Sequence, residues 1–319
     1  MTLSNAVPDG PPARILLPYP SAEVGLRPDV ATVMWDGRGD GPSQRVLDEV
    51  EFFVVPYTRS SAAVPLFARM PRLRVVQSLS AGVDELLPAV PTGVVLCNAR
   101  GVHDASTAEL AVTLLLSSLR GVPGFVRAQD AGVWAGGAFA SLADRTVLVV
   151  GHGAIGAAVE ERLVPFECEV LRVARSARPA ARGPVHAFAE LPDLLPRADV
   201  VVLTVPLTDA TRGLVDADFL AAMKDGALLV NVARGAVVDT GALLAELRSG
   251  RLAAALDVTD PEPLPAGHPL WRAPNTLITP HVGGNSSAFL PRALRLIRTQ
   301  LERFLAGGPL ENVMVRPGD

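Results

Sequence analysis

The chain has 319 residues, 49% of them hydrophobic and 19% charged, with a formal net charge of −4. That is enough length for two domains, too apolar for a disordered chain, and without the basic excess of a nucleic-acid binder. From the N-terminus, residues 1–12 lack the basic and apolar blocks of a signal peptide. Strands are expected at Arg14–Leu17, Val30–Met34, Phe52–Val55, Arg74–Gln77 and Val94–Cys97. A helix then opens at Ser106, with Ser106-Thr107-Ala108-Glu109 read as a capping box before Leu110–Leu119, and Gly121, Pro123 and Gly124 break it. Further strands are expected at Val147–Val150, Glu169–Ala174, Val200–Thr204, Ala227–Asn231, Ala253–Val258 and Thr276–Thr279. A final helix runs from Ala288 to Ala306, followed by a polar tail.

Alternation of short β-branched runs with Ala/Leu-rich stretches points to α/β architecture with parallel sheets. Leu110–Leu116, the most apolar stretch, is interrupted by Thr113 and too short to span a bilayer. Cys97 and Cys168 make no disulfide framework and match no metal-ligand spacing, so no metal is expected. A soluble, cytoplasmic protein with no nucleic-acid or membrane partner is the expectation.

Val147–Val150 runs into Gly151-His152-Gly153-Ala154-Ile155-Gly156 and then a helix from Ala157 to Leu163. In that strand–loop–helix setting, G-x-G-x-x-G reads as a dinucleotide site: Gly151 makes the tight turn, Gly153 admits a pyrophosphate, and Gly156 packs helix on strand. An NAD-specific fold places an acid at the end of the next strand, to bond the ribose 2′-hydroxyl. That position holds Ala174, followed by Arg175, Ser176 and Arg178. Two arginines and a hydroxyl suit a 2′-phosphate, although a solvated basic loop would give the same residues. The missing acid favours NADP(H), with NAD(H) still usable.

Three later strands are each followed by a chemically capable residue: Arg234 in Asn231–Gly235, Glu262 in Asp257–Pro265, and His281 in Thr279–Gly284. Ligands of open parallel sheets bind outside the carboxyl ends of the strands, so an arginine, a glutamate and a histidine should converge there. A histidine against a carboxylate has a raised pKa and can donate a proton near neutrality. Arginine's planar fork fits a carboxylate in a way lysine does not.

These segments, in this order and spacing, with Ser80-Ala81-Gly82-Val83-Asp84 earlier in the chain, resemble the D-isomer-specific 2-hydroxyacid dehydrogenase family over nearly the whole length. The resemblance implies two doubly wound parallel-sheet domains, a Rossmann cofactor domain (102–284) inserted in a flavodoxin-like substrate domain (1–101 and 285–319). It implies that Arg234 anchors the carboxylate and 2-oxo oxygen of the substrate, that His281 is the acid/base, and that Glu262 is its partner. Asp257 would hold the nicotinamide carboxamide. The Ala81 and Gly82 amides of this substrate loop would assist at the carboxylate, and the loop around Tyr57 would line the substrate pocket. Further cofactor contacts would come from Ala154, Ile155, Val205, Pro206, Val232, Ala233, His281 and Gly283. A homodimer through the cofactor domain is also implied.

Departures from the family narrow the substrate. Tyr57 and Ser78 stand where phosphoglycerate dehydrogenases carry arginines, though Arg59 is nearby, and Ala81 stands where phosphite-oxidising relatives carry a lysine. Formate dehydrogenases tend to have an acid at the position of Ala174. The expected reaction is hydride transfer from NADPH to a small unphosphorylated 2-oxo acid of the glyoxylate or hydroxypyruvate type, giving the D-2-hydroxy acid. The alternatives are a larger 2-oxo acid, or a dinucleotide-sensing corepressor-like protein. His103, His152, His186 and His268 are expected to be ordinary loop or surface histidines, with the His152 side chain free to vary. Trp271 is expected to pack between the two active-site segments, and Cys97 to be inert.

Overall fold

Most of the strands are apolar along their whole length rather than at every second position, as sheets covered on both faces require. In the computed structural model, residues 14–315 are described. They divide into two units, one running to His103 and resuming at Ser287, the other Asp104–Ser286. The first unit begins with β1 (Ile15–Leu17), α1 (Ser21–Val24), β2 (Thr32–Met34), α2 (Gln44–Leu47), β3 (Phe52–Val54), α3 (Ser60–Phe67), β4 (Val75–Gln77) and β5 (Val95–Cys97). The second unit opens with α4 (Asp104–Leu119), α5 (Val122–Asp130), β6 (Thr146–Val150), α6 (Ala154–Leu163), β7 (Glu169–Ala174), β8 (Val185–Ala187) and α7 (Leu191–Leu194). It continues with β9 (Val200–Leu203), α8 (Ala217–Ala222), β10 (Leu228–Asn231), α9 (Thr240–Ser249), β11 (Ala253–Leu256) and β12 (Thr276–Ile278). The chain returns to the first unit through α10 (Phe289–Leu305) and β13 (Val313–Val315).

The first sheet has the order β13-β5-β4-β3-β1-β2, parallel except for β13 against β5. Its parallel part is the flavodoxin-like 2-1-3-4-5 arrangement. The second sheet, β12-β11-β10-β9-β6-β7-β8, is parallel throughout. Counted from β6 it is the doubly wound Rossmann order, and the winding reverses between β6 and β9. Alternation along β6 serves both faces. Leu148 and Val150 pack with Leu171, Val201 and Leu203, whereas Val147 and Val149 pack with Ala108 and Leu115 of α4 and Val159 and Leu163 of α6. In the first unit, fully buried Gln300 of α10 donates to Gln77 Oε1 of β4 at 2.6 Å and accepts from the Glu311 amide at 2.8 Å. Those bonds dock the last helix and lead the chain into β13.

Several local expectations are corrected. The first long helix starts at Asp104, not Ser106. Ser106 is buried inside the opening turn and shares a 2.5 Å hydrogen bond with Ser286, so it caps nothing. Gly121 ends α4 in a left-handed conformation, but α5 resumes at once through Pro123 and Gly124. Proline in a first helical turn lacks only an N–H that has no partner there anyway. β8, β13 and the short helices α1–α3, α7 and α8 carry too little periodicity to be read locally, whereas α9, with an Asp239 cap and Leu243, Leu244 and Leu247 buried at helical spacing, has a local signal that the sequence reading did not use. Among the described residues, no single helix is long and apolar enough to cross a membrane.

Candidate active site

The glycine loop lies at the switch point of the second sheet, and packing explains two of its glycines. Gly151 has φ 104°, and a Cβ there would sit 2.7 Å from backbone atoms of Thr204 and Val205 at the end of β9. A Cβ on Gly156 would lie 2.0 Å from the Gly151 carbonyl, which only direct helix-on-strand contact produces. Thr204 Oγ1 also donates to that carbonyl, at 2.5 Å, a residue the sequence reading missed. Gly153 differs. Among the described residues nothing lies within 4 Å of a Cβ there, so packing does not require glycine, and the open space fits a ligand phosphate. Gly153 is also the N-cap of α6 and makes no side-chain cap, so the first amides of the helix, at Ala154 and Ile155, face the same space. The loop fits a dinucleotide.

Arg175, Ser176 and Arg178 follow β7 and are exposed. Arg178 reaches back to the loop, its Nη2 donating to the His152 carbonyl at 2.7 Å. The His152 side chain is not free to vary. It is 10% exposed, and its Nε2–H donates to Glu160 Oε2 at 2.7 Å.

Val205 and Pro206 follow β9, and Val232 and Ala233 follow β10, on the same carboxyl edge. After β10, Asn231 folds the chain over Arg234. Its Nδ2 donates to the Arg234 carbonyl at 3.0 Å, and its Oδ1 accepts from the Ala233 amide at 3.0 Å. Next comes a contact that the sequence reading did not weigh. A Cβ on Gly235 would lie 1.9 Å from the Thr259 carbonyl oxygen, so the Arg234 turn rests directly on the backbone leading to Glu262.

His281 Nδ1–H donates to Glu262 Oε1 in a short hydrogen bond. Burial pushes the Glu262 carboxyl up, but the bond from His281 and the His281 and Arg234 charges outweigh it, leaving the group below its ordinary value. His281 is raised, chiefly by its hydrogen bond to Glu262 and then by that carboxylate's charge, against burial and the charge of Arg234. Each of the three groups therefore feels another.

His281 has φ 52°, a left-handed backbone uncommon for residues other than glycine. Buried Asp257 holds it there. Its carbonyl accepts from the His281 amide at 2.7 Å. Its carboxylate accepts from Thr279 Oγ1 at 2.6 Å, the Val282 amide at 2.9 Å and the Gly283 amide at 2.8 Å. A carboxylate has about four acceptor positions, so Asp257 retains capacity for one more donor. Trp271 is half exposed and donates to the Pro265 carbonyl at 3.0 Å, tying its turn to the Glu262 segment.

Tyr57, Ala81 and Gly82 belong to the first unit, beyond the carboxyl ends of β3 and β4. Asn98 Nδ2 pins the Ala81 carbonyl at 2.9 Å, and His103 Nε2–H donates to the Leu79 carbonyl at 2.7 Å. His103 is no surface residue. It is buried and stacks on Tyr57 and Phe289, each with ring centroids 5.3 Å away. Of the other set-aside histidines, His186 pairs with Glu190 and His268 caps the Leu270 amide. Cys97 is buried and pushed up to about 11, in keeping with an inert thiol.

A Rossmann sheet with a phosphate-ready glycine loop at its switch point, and an arginine and a carboxylate-backed histidine on later strand ends, defines a dinucleotide-dependent oxidoreductase. The profile described as D-isomer specific 2-hydroxyacid dehydrogenase, NAD binding domain, matches residues 112–283. Glyoxylate reductase from Pyrococcus horikoshii is 31% identical over 303 residues, 89% of this chain and 90% of that protein. Two solved structures are each 32% identical. A D-isomer specific 2-hydroxyacid dehydrogenase family protein from Aeromonas salmonicida has a TM-score of 0.84, covering 95% of this chain and 99% of that one. A dehydrogenase of the same description from Xanthobacter autotrophicus, in complex with NADPH and MES, has a TM-score of 0.78, covering 96% and 99%. The chain belongs to the D-isomer-specific 2-hydroxyacid dehydrogenase family and is an NAD(P)-dependent oxidoreductase of that kind.

Proposed function

We propose that the enzyme reduces a small unphosphorylated 2-oxo acid of the glyoxylate or hydroxypyruvate type to the D-2-hydroxy acid, with NADPH preferred. The observation that carries this reading is the His281–Glu262 pair with the Arg234 charge felt by both, on the sheet that carries the glycine loop. Gly151, Gly153, Ala154, Ile155, Gly156, Val205, Pro206, Val232, Ala233 and Gly283 would cradle the cofactor, and Asp257 would accept from its carboxamide. Arg175, Ser176 and Arg178 would take the 2′-phosphate. Bound NADPH supplies a hydride. Arg234 would bind the substrate carboxylate. Because Nδ1–H of His281 is committed to Glu262, Nε2 is the atom that gives a proton to the alkoxide left on the substrate. The likeness to glyoxylate reductase supports the substrate class, and the NADPH complex of the Xanthobacter protein supports the cofactor.

One observation favours a second substrate reading. The Tyr57 and Phe289 rings stack at 4.2 Å, with His103 on both, in the unit that carries the Ala81–Gly82 loop. A flat apolar wall suits a larger, apolar 2-oxo acid. Loss of NADPH absorbance with glyoxylate, hydroxypyruvate, pyruvate and phenylpyruvate separates the two. A higher kcat/KM for phenylpyruvate selects the larger acid, and no turnover on any of the four overturns both.

The homodimer is part of the proposal. α5 and the segment after it expose Phe125, Val126, Val133, Trp134 and Phe139, with Trp134 fully in solvent. A strip of large apolar side chains of this kind is the mark of an association surface.

A further inference from the structure

A buried charged cluster is built onto the glycine loop, and the proposed chemistry does not use it. His152 Nε2–H donates to Glu160 Oε2 at 2.7 Å, and Arg172 Nε donates to Glu160 Oε1 at 2.6 Å. Arg172 Nη1 also donates to the Val170 carbonyl at 2.8 Å. The side chains of His152, Glu160 and Arg172 are 10%, 6% and 10% exposed. Each carboxylate oxygen has a donor, and Arg172 neutralises the charge. Burying such a cluster adds little stability over apolar residues of the same size, so its value here lies in position.

His152 stands between Gly151 and Gly153. The Gly151 carbonyl before it is held by Thr204 Oγ1 and the Gly151 amide by the Val173 carbonyl, and the bonds of His152 itself hold the peptide group that follows. The His152 N–H donates to the Val173 carbonyl at 3.1 Å, its ring is locked by Glu160, and its carbonyl accepts from Arg178. Arg172 and Val173 lie on β7, and Arg178 follows it, its backbone bridged to Val185 of β8. The strand that leads to the basic residues, and Arg178 beyond it, therefore grip the loop directly at its amide and its carbonyl, and at its ring only through Glu160 of α6. An arginine has five N–H donors. One fixed on the His152 carbonyl orients the guanidinium and leaves the others for an anion.

We infer that His152 is a positioning residue for cofactor discrimination: its ring, locked to Glu160 and through it to Arg172, holds the carbonyl that aims Arg178 at the 2′-phosphate. This rests on the NADPH reading above. The test compares kcat/KM for NADPH and NADH in the unmodified enzyme, His152→Phe, His152→Gln and Arg178→Ala. Phe keeps an aromatic ring, somewhat larger than imidazole, and removes the donor, while Gln keeps a donor for Glu160. The NADPH-to-NADH ratio should fall about tenfold in His152→Phe, the loss of one charge-assisted contact. The fall should come through KM for NADPH, with kcat within about twofold. His152→Gln should retain most of the ratio. A ratio that survives His152→Phe yet collapses in Arg178→Ala overturns the inference and leaves the NADPH reading standing. An unmodified enzyme with no preference overturns both. A general loss of kcat with both cofactors in His152→Phe, at unchanged ratio, reduces the cluster to a structural part and also overturns it.

Discussion

His281 and Glu262 are coupled most directly, and their coupling sets a pH dependence. The Glu262 bond and charge keep His281 protonated to higher pH than an isolated histidine, so reduction is full below that pKa and falls as pH rises through it. Glu262→Gln removes the support, so the falling limb of kcat should move to lower pH, as a pH–rate profile of the variant checks. An unchanged limb would sink the pairing. His281→Ala should lower kcat by about 10²–10⁴, with NADPH binding retained in a fluorescence titration. Arg234→Lys should behave as a severe lesion despite its retained charge. Loss of a bidentate contact to a carboxylate is expected to remove about 2–5 kcal/mol of kcat/KM. A loss below about threefold would mean that Arg234 binds something else.

Between elements, the tightest constraint is the contact of the Arg234 turn with the Thr259 carbonyl. A methyl at Gly235 would have to push backbone against backbone, since no flexible side chain can yield. Gly235→Ala should therefore separate Arg234 from the Glu262–His281 pair. A shift of about 1 Å can remove about 10²-fold of activity. The check is kcat/KM beside a thermal melt. Near-normal activity would show that the two turns move independently. At the end of β7, the absence of an acid at Ala174 and the presence of Arg175 and Arg178 predict an NADPH preference of about 10–150-fold. Arg175→Ala with Arg178→Ala should erase most of it through KM for NADPH. Adding Ala174→Asp should turn the preference to NADH, because a carboxylate bonds the 2′-hydroxyl and repels the phosphate. Equal use of both cofactors by the unmodified enzyme at about 0.1 M salt, where exposed charges are screened beyond about 10 Å, would reduce the arginines to a solvated loop.

At the scale of the whole molecule, the exposed strip on α5 and beyond predicts self-association. Light scattering after size exclusion should give a dimer mass for the unmodified chain and a shift toward monomer in Trp134→Ser at the same concentration. A Trp134→Ser protein that stays fully dimeric would place the interface elsewhere.

Much of this was written locally in the chain. The apolar runs of β6, β9 and β10, the glycine loop between β6 and α6, and Arg234, Glu262 and His281 behind their strands are all short-range patterns. Strand period, turn chemistry and strand-end position depend on neighbouring residues alone, and the parallel-sheet α/β class follows from their alternation, whereas the doubly wound two-domain arrangement was implied by the family resemblance. Only the tertiary structure decided what distant residues do to one another. It joined His152, Glu160 and Arg172 from a loop, a helix and the next strand, and it stacked Tyr57, His103 and Phe289 from three separate segments. It moved the start of α4 to Asp104 and turned Ser106 inward to Ser286. It gave the tail a place as β13 because β5 offered an open edge for pairing. A histidine in a sequence looks the same whether water or a buried carboxylate surrounds it, and burial and partners exist only once the sheets have closed.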